Sequence, residues 1–347
     1  MKQNPFLTTP FHQRQSQTLH PVGSWGEARH VWDAKELDAL ALCQASGRPL
    51  LIRGEPGTGK SQVARAAAAL LGWDFLYEVI TARHEAQDLL WRYDAVERLA
   101  TANKGQPSRM QDFVTPGPLW LALNPSGAAQ QAMQTLKTAQ GEAAPADALP
   151  AEAVPVTSNA PSNNGTVVLL DEIDKADSDL PNSLLEVLAN GSFTLPWGAP
   201  LRPKGSVAAP TLVVITSNEE RELPAAFVRR CVCLHLMPPS DSEREKFLNW
   251  LQVRARAQFD SVPPQVLSQA AALVHTDRMA CPVGMGARPG LAEYLDLLRA
   301  LHDIAPDDAA QQLTWLQRLA PYALLKQYPQ DQSRALNQAD PREPARP

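Results

Sequence analysis

The sequence predicts an α/β domain followed by a smaller all-helical one, and three observations carry that expectation. The apolar run PLLIR, the glycine-rich GEPGTGKS (residues 54–61) and the Ala-rich QVARAAAALL stand in the order strand, turn, helix. Two further apolar runs, TVVLLDEID at 166–174 and TLVVITSN ending at Asn218, both finish in acidic or amide side chains. Beyond about residue 240 the apolar periodicity is helical only.

Taken in order, residues 1–28 are polar with scattered Pro, Gly and His and read as a loosely held arm. A helix is expected from VWDAKELDALALCQA, where Leu37, Leu40, Ala41 and Ala45 recur at helical spacing behind a cap at Asp33. The segment from about 128 to 164 is rich in Ala, Pro, Gln, Ser and Asn, and from 131 onward it has no Trp, Phe, Tyr or Ile. It is expected to be a disordered insertion, because it cannot bury enough surface to offset its ordering entropy. The domain boundaries expected are therefore 29–240, 241–330 for the helical domain, and 331–347 for a polar, flexible tail.

Composition narrows the function classes. The 347 residues are 44% hydrophobic and 20% charged, enough for a sizeable core and two domains. A formal charge of −5 with no Lys/Arg run makes nucleic-acid binding an unsupported expectation. The four cysteines form no disulfide framework, and neither a secretion signal nor an 18-residue apolar span is present in the sequence. A soluble cytoplasmic protein without membrane insertion is expected.

GEPGTGKS fits a phosphate loop. Its glycines let the loop of Gly54, Glu55, Pro56, Gly57, Thr58 and Gly59 wrap around phosphate oxygens with consecutive backbone N–H groups turned inward. Lys60 would neutralise the β and γ phosphates, Ser61 would offer a hydroxyl to Mg²⁺, and the helix dipole would face the anion. On the neighbouring strand, Asp171 would hold Mg²⁺ through water and Glu172 would act as general base on the attacking water. Asn218 could hold that water. Cys231, Cys233 and His235 alternate along CVCLHLM, but without a sequence-adjacent fourth ligand they read as small buried side chains rather than a zinc site. Trp91 and Tyr93 in DLLWRYDAVERL have helix-like spacing and read as core.

The order GEPGTGKS, VVLLDEID, VVITSN, LPAAFVRR and then helices resembles the AAA+ ATPases, and FVTPGPLWLAL and LLEVLANGSFTLP resemble the MoxR group in particular. The resemblance spans roughly residues 30–300. It implies an αβα P-loop NTPase sandwich with a parallel five-stranded sheet, a helical lid, ATP and Mg²⁺ as cofactors, and a ring, hexameric by resemblance. GSFTLPWGAPLRPKGS would be a hairpin before the Asn218 strand, and 82–115 a helix insertion. An arginine just before the next strand, Arg230 or its neighbour Arg229, would reach the γ-phosphate of the adjacent subunit; Arg230 is favoured. DEIDKA, SNEE and GARPG depart from the group's DEINRA, Pro-containing and GASPRA patterns, and GARPG makes Arg288 the candidate second sensor.

Three functions follow as expectations: a chaperone-like remodelling ATPase acting on a partner, in this group often a von Willebrand factor A domain protein; an ATP-gated switch in a bacterial defence system; and a DNA-acting motor or loader, which the acidic balance disfavours.

Overall fold

The computed structural model describes residues 16–103, 109–140, 164–201, 210–281, 288–306 and 308–324. These divide into two compact units, the second starting at Met237 and taking in the loop apex Pro56–Gly59.

The first unit is built on five parallel strands, β3 (Leu50–Arg53), β4 (Asp74–Val79), β7 (Thr166–Asp171), β10 (Thr211–Ser217) and β11 (Val232–His235). Their order across the sheet is β11-β3-β10-β7-β4. Alternation of side chains along each strand makes two cores. Leu51, Leu76, Val168, Leu170 and Ile215 face one side, under the helices Pro118–Leu123 and Asp179–Asn190. Leu50, Ile52, Phe75, Val167, Leu169 and Val214 face the other, under Ala34–Ser46 and Lys60–Leu71. Strands buried on both faces explain why the runs read as continuously apolar rather than alternating. This is the P-loop NTPase fold, with helices on both sides of the sheet and C-terminal helices beyond it.

The helix Ala34–Ser46 starts where expected, with Asp33 and Glu36 forming a capping box and Gly47 closing it at φ 67°. The expected hairpin is present as β8 (Phe193–Thr194) paired with β9 (Pro200–Leu201); residues 202–209 of that segment lie outside the described residues.

Three expectations are corrected. Within the arm 1–28, residues 16–28 are ordered, while 1–15 lie outside the described residues: β1 (Ser16–Leu19) pairs antiparallel with β2 (Ala28–Val31), and Leu19 is buried. Arg65 of the phosphate-loop helix donates to the carbonyls of His20 (2.7 Å) and Gly26 (3.1 Å) and lies over Trp25, which stacks on Tyr77. The insertion does not begin at 128, because Pro125–Gln140 is a helix. Ala128 and Ala132 are buried on one face, and Gln131 donates to the carbonyls of Gln111 and Val114, so small side chains pack without aromatic bulk. Residues 141–163 and the tail 331–347 lie outside the described residues. Trp91 and Tyr93 are strand residues: β5 (Trp91–Tyr93) pairs with β6 (Val114–Pro116), between the helices Ala86–Leu90 and Ala95–Asn103, and both aromatics pack against the core.

The second unit consists of the helices Arg244–Gln258, Pro264–Ala280, Leu291–Ile304 and Ala309–Leu324. Phe247, Leu251 and Ala255, at a spacing of four, meet Val266, Tyr294 and Leu298 in its core. The Tyr294 hydroxyl donates to the Leu267 carbonyl at 2.9 Å.

Candidate nucleotide site

The parallel sheet carries its candidate chemistry at the carboxyl ends of the strands. Gly54 leaves β3 at φ 151°, where a Cβ would stand 2.3 Å from the carbonyl oxygen of Leu236, so only glycine fits. Gly57 and Gly59 also have positive φ, 74° and 95°, as a loop that turns its amides inward needs. Thr58 and Lys60 are buried. Lys60 Nζ donates to the carbonyls of Gly54 (2.9 Å) and Glu55 (2.8 Å), folded back on its own loop. Burial lowers the pKa of Lys60, and the charges of Asp171, Asp174, Glu172 and Glu219 partly counter that.

Across the sheet, the Ser61 hydroxyl lies 2.8 and 2.9 Å from the two carboxylate oxygens of Asp171. A hydroxyl beside a carboxylate is a hard-oxygen donor set that suits Mg²⁺. Glu172 follows in the left-handed region, φ 61° and ψ 46°. Its Oε1 accepts from Asn218 Nδ2 at 3.4 Å, and its Oε2 from Lys175 Nζ at 2.5 Å. The Glu172 hydrogen bond raises the pKa of Lys175. Loop, acids and amide, which came from three separate stretches of sequence, are thus neighbours in space.

Arg229 and Arg230 lie elsewhere. They follow the short helix Ala225–Val228 and precede β11, which pairs with β3 in the register Val232↔Leu50 to His235↔Arg53. They therefore stand at the amino end of the sheet, where Arg48 donates to both of their carbonyls. The loop begins past the opposite end, a strand length of about 13 Å away. In the second unit, Arg288 is paired with Asp241 at 2.7 Å and donates to the Arg278 carbonyl at 3.0 Å.

Sequence reasoning missed two residues here. Asp174, buried inside DEID, accepts from the backbone N–H of Asn218 (3.1 Å) and Glu220 (2.9 Å) and so fixes the end of β10. Its signal was available: an acid three residues after another is hard to place on a turn unless it caps something. Thr216 contacts both Asp171 and the Glu172 amide, and nothing distinguishes it in sequence from an ordinary β-branched strand residue. The metal-capable trio splits: Cys231 is buried with its thiol pushed up to about 12 by burial, whereas Cys233 and His235 point outward from β11. That corrects the expectation of three buried side chains. Among the described residues no group of three or more His, Cys, Asp and Glu side chains converges as a metal-binding cluster, and no helix is long and apolar enough to cross a membrane.

The profile of the AAA domain, dynein-related subfamily, matches residues 49–231, more than half of the chain. The chain belongs to the AAA family. Its AAA domain therefore runs from the residue before β3 to the residue before β11 and takes in the loop, both acids, Asn218 and both arginines. No curated protein matches the chain. Among solved structures, it is similar to a mutant RuvB of Thermotoga maritima (14% identity, TM-score 0.42, covering 82% of this chain and 69% of that one). It is also similar to a "putative ATPase" of Cytophaga hutchinsonii (16% identity, TM-score 0.35, covering 83% and 79%).

Proposed function

We propose that this AAA domain hydrolyses ATP as part of a MoxR-like ring, hexameric by resemblance, and that the cycle remodels a partner protein, with a von Willebrand factor A domain protein as the first partner to test. The observation that carries the reading is the division of the site between the two ends of the sheet: phosphate loop, Asp171, Glu172 and Asn218 at one, Arg229 and Arg230 at the other. A chain so built cannot deliver Arg230 to its own phosphate, but a neighbour in a ring can.

In this reading the loop amides and Lys60 bind the phosphates, Lys60 exchanging the carbonyls of Gly54 and Glu55 for phosphate oxygens. Ser61 and Asp171 would hold Mg²⁺, which supplies charge neutralisation and orientation of the phosphate oxygens. Asn218 and Glu172 orient the attacking water, and Glu172 takes its proton. Arg230 of the neighbouring subunit stabilises charge on the transferred phosphoryl group; Arg288 is the candidate sensor from the lid, once released from Asp241. The helical unit converts the cycle into motion.

A second reading has its own support. Lys175 occupies one oxygen of Glu172 at 2.5 Å, which suits an ATP-gated switch that turns over slowly, as in a bacterial defence system. The test is ATPase rate per subunit against protein concentration, with Arg230→Ala alongside. A specific rate that climbs with concentration and falls at least about 10³-fold in the variant is expected, the scale of a lost arginine finger. A measurable rate that is independent of concentration and indifferent to Arg230 overturns the shared site; a near-zero rate that stays so with partner present selects the switch.

A further inference from the structure

Thr216 is fully buried in β10, one residue beyond the pair Ile215↔Leu170 and so abreast of Asp171 on β7. The residues leading up to it along the strand, Val214 and Ile215, are apolar and equally buried. A hydroxyl in such a place costs free energy unless it is hydrogen-bonded, and valine would fill the same volume without that cost. Here the hydroxyl is used in both directions. It donates to Asp171 Oδ1 at 2.5 Å and accepts the backbone N–H of Glu172 at 2.9 Å. The first contact fixes the rotamer of the carboxylate that Ser61 also touches. The second holds the amide of a glutamate whose backbone sits in the left-handed region, a conformation that a non-glycine residue keeps only when its surroundings impose it.

We infer that Thr216 is a positioning residue for ATP hydrolysis: a single hydroxyl, supplied from the Asn218 strand, sets the cation-holding acid and the general base in register with each other. The inference rests on the reading of Asp171 and Glu172 given above. Asn218 orients water from the same strand, so β10 serves the site twice, once at its end and once two residues earlier through the interior of the sheet.

The experiment compares full-length Thr216→Val, Thr216→Ser and Glu172→Gln with the wild type. It measures kcat and KM for ATP, the Mg²⁺ concentration for half-maximal turnover, binding of a fluorescent ADP analogue in EDTA, and thermal melting. Thr216→Val is expected to lower kcat about 10- to 100-fold and to raise the Mg²⁺ midpoint, with KM within about threefold. Nucleotide binding in EDTA should stay near wild type, melting should fall by only about 2–8 °C because the Glu172 N–H loses its acceptor, and Thr216→Ser should restore both kcat and melting. Wild-type kcat and Mg²⁺ midpoint in Thr216→Val overturn the inference, as does loss of nucleotide binding in EDTA, which would mean general collapse of the site. Glu172→Gln separates the two levels: if it turns over normally, the general-base reading fails; if it is slow while Thr216→Val is normal, only the role of Thr216 fails. Should Thr216→Val not fold, Thr216→Cys, with a weak donor of similar shape, replaces it, and wild-type kcat in that variant overturns the inference.

Discussion

Asp171 and Asp241 are both hubs, one in each unit, and they are opposites. Asp171 accepts from two neutral hydroxyls, Ser61 and Thr216, and no arginine or lysine pairs with it among the described ion pairs. Asp241 is matched by two guanidinium groups, Arg278 and Arg288, each at 2.7 Å. Arg278 is itself buried, over the ring of Phe247, and bonded to the Pro289 carbonyl; His275 bonds the Asp241 carbonyl. A carboxylate ringed by hydroxyls keeps its charge available to a cation, whereas one matched by two arginines ties the start of the helical unit to its second helix and to the segment leading into its third.

The largest effect that sharpens this contrast belongs to Asp171→Asn. Loss of several kcal/mol of charge stabilisation should cut ATP turnover roughly 10²- to 10³-fold while melting is unchanged or higher, since a carboxylate kept without a cation contributes little to stability. An early melt in that variant would make Asp171 a structural residue like Asp241. Asp241→Asn should do the reverse, losing about 1.5–3 kcal/mol of stability with the charge-assisted bonds, seen by calorimetry as an earlier melt. If instead it melts normally and changes nucleotide affinity, Arg288 belongs to the site and Asp241 merely holds it in reserve.

A pH series refines the same point. Burial pushes the Asp241 carboxyl up, but the hydrogen bonds and charges of Arg278 and Arg288 outweigh it, leaving the group below the ordinary carboxylate value. The sign follows: this stabilisation is fully present above the unfolded carboxyl pKa, about 3.9, and is lost as pH falls through the lower folded value. Melting of wild type and Asp241→Asn should therefore converge only below about pH 4; convergence near neutrality would remove the ion pairs from the account. The smallest effect is at Lys175. It and Glu172 are 41% and 29% exposed, so solvent screens the pair, and Lys175→Ala should raise turnover by no more than about fivefold, less at high salt. A fall in turnover would instead make Lys175 a contributor to the chemistry.

What was legible in the sequence was what is local. The phosphate loop, the acids after β7 and Asn218 each follow an apolar run, because parallel strands buried on both faces have no polar positions until they end. The lid helices were legible by periodicity. The N-terminal hairpin was not, since SQTL and ARHV are short and polar and their order comes from Arg65 and Tyr77, distant in sequence, which hold the turn between them through His20, Gly26 and Trp25. The helix Pro125–Gln140 was hidden by a composition that suits small-residue packing as well as disorder. Thr216 was hidden for a further reason: its role exists only across the strand pair β10 and β7, and a threonine in a strand attracts no notice.

The left-handed backbone of Glu172 has a consequence for evolution and for engineering. Glycine or asparagine would occupy that conformation with less strain, of the order of 1 kcal/mol. Selection for stability alone would therefore favour glycine or asparagine there, and under the proposed mechanism only selection on turnover would oppose that drift. A thermostability screen run without ATP would be drawn to replace the one side chain proposed to take the proton, and would return a sturdier protein with an idle site.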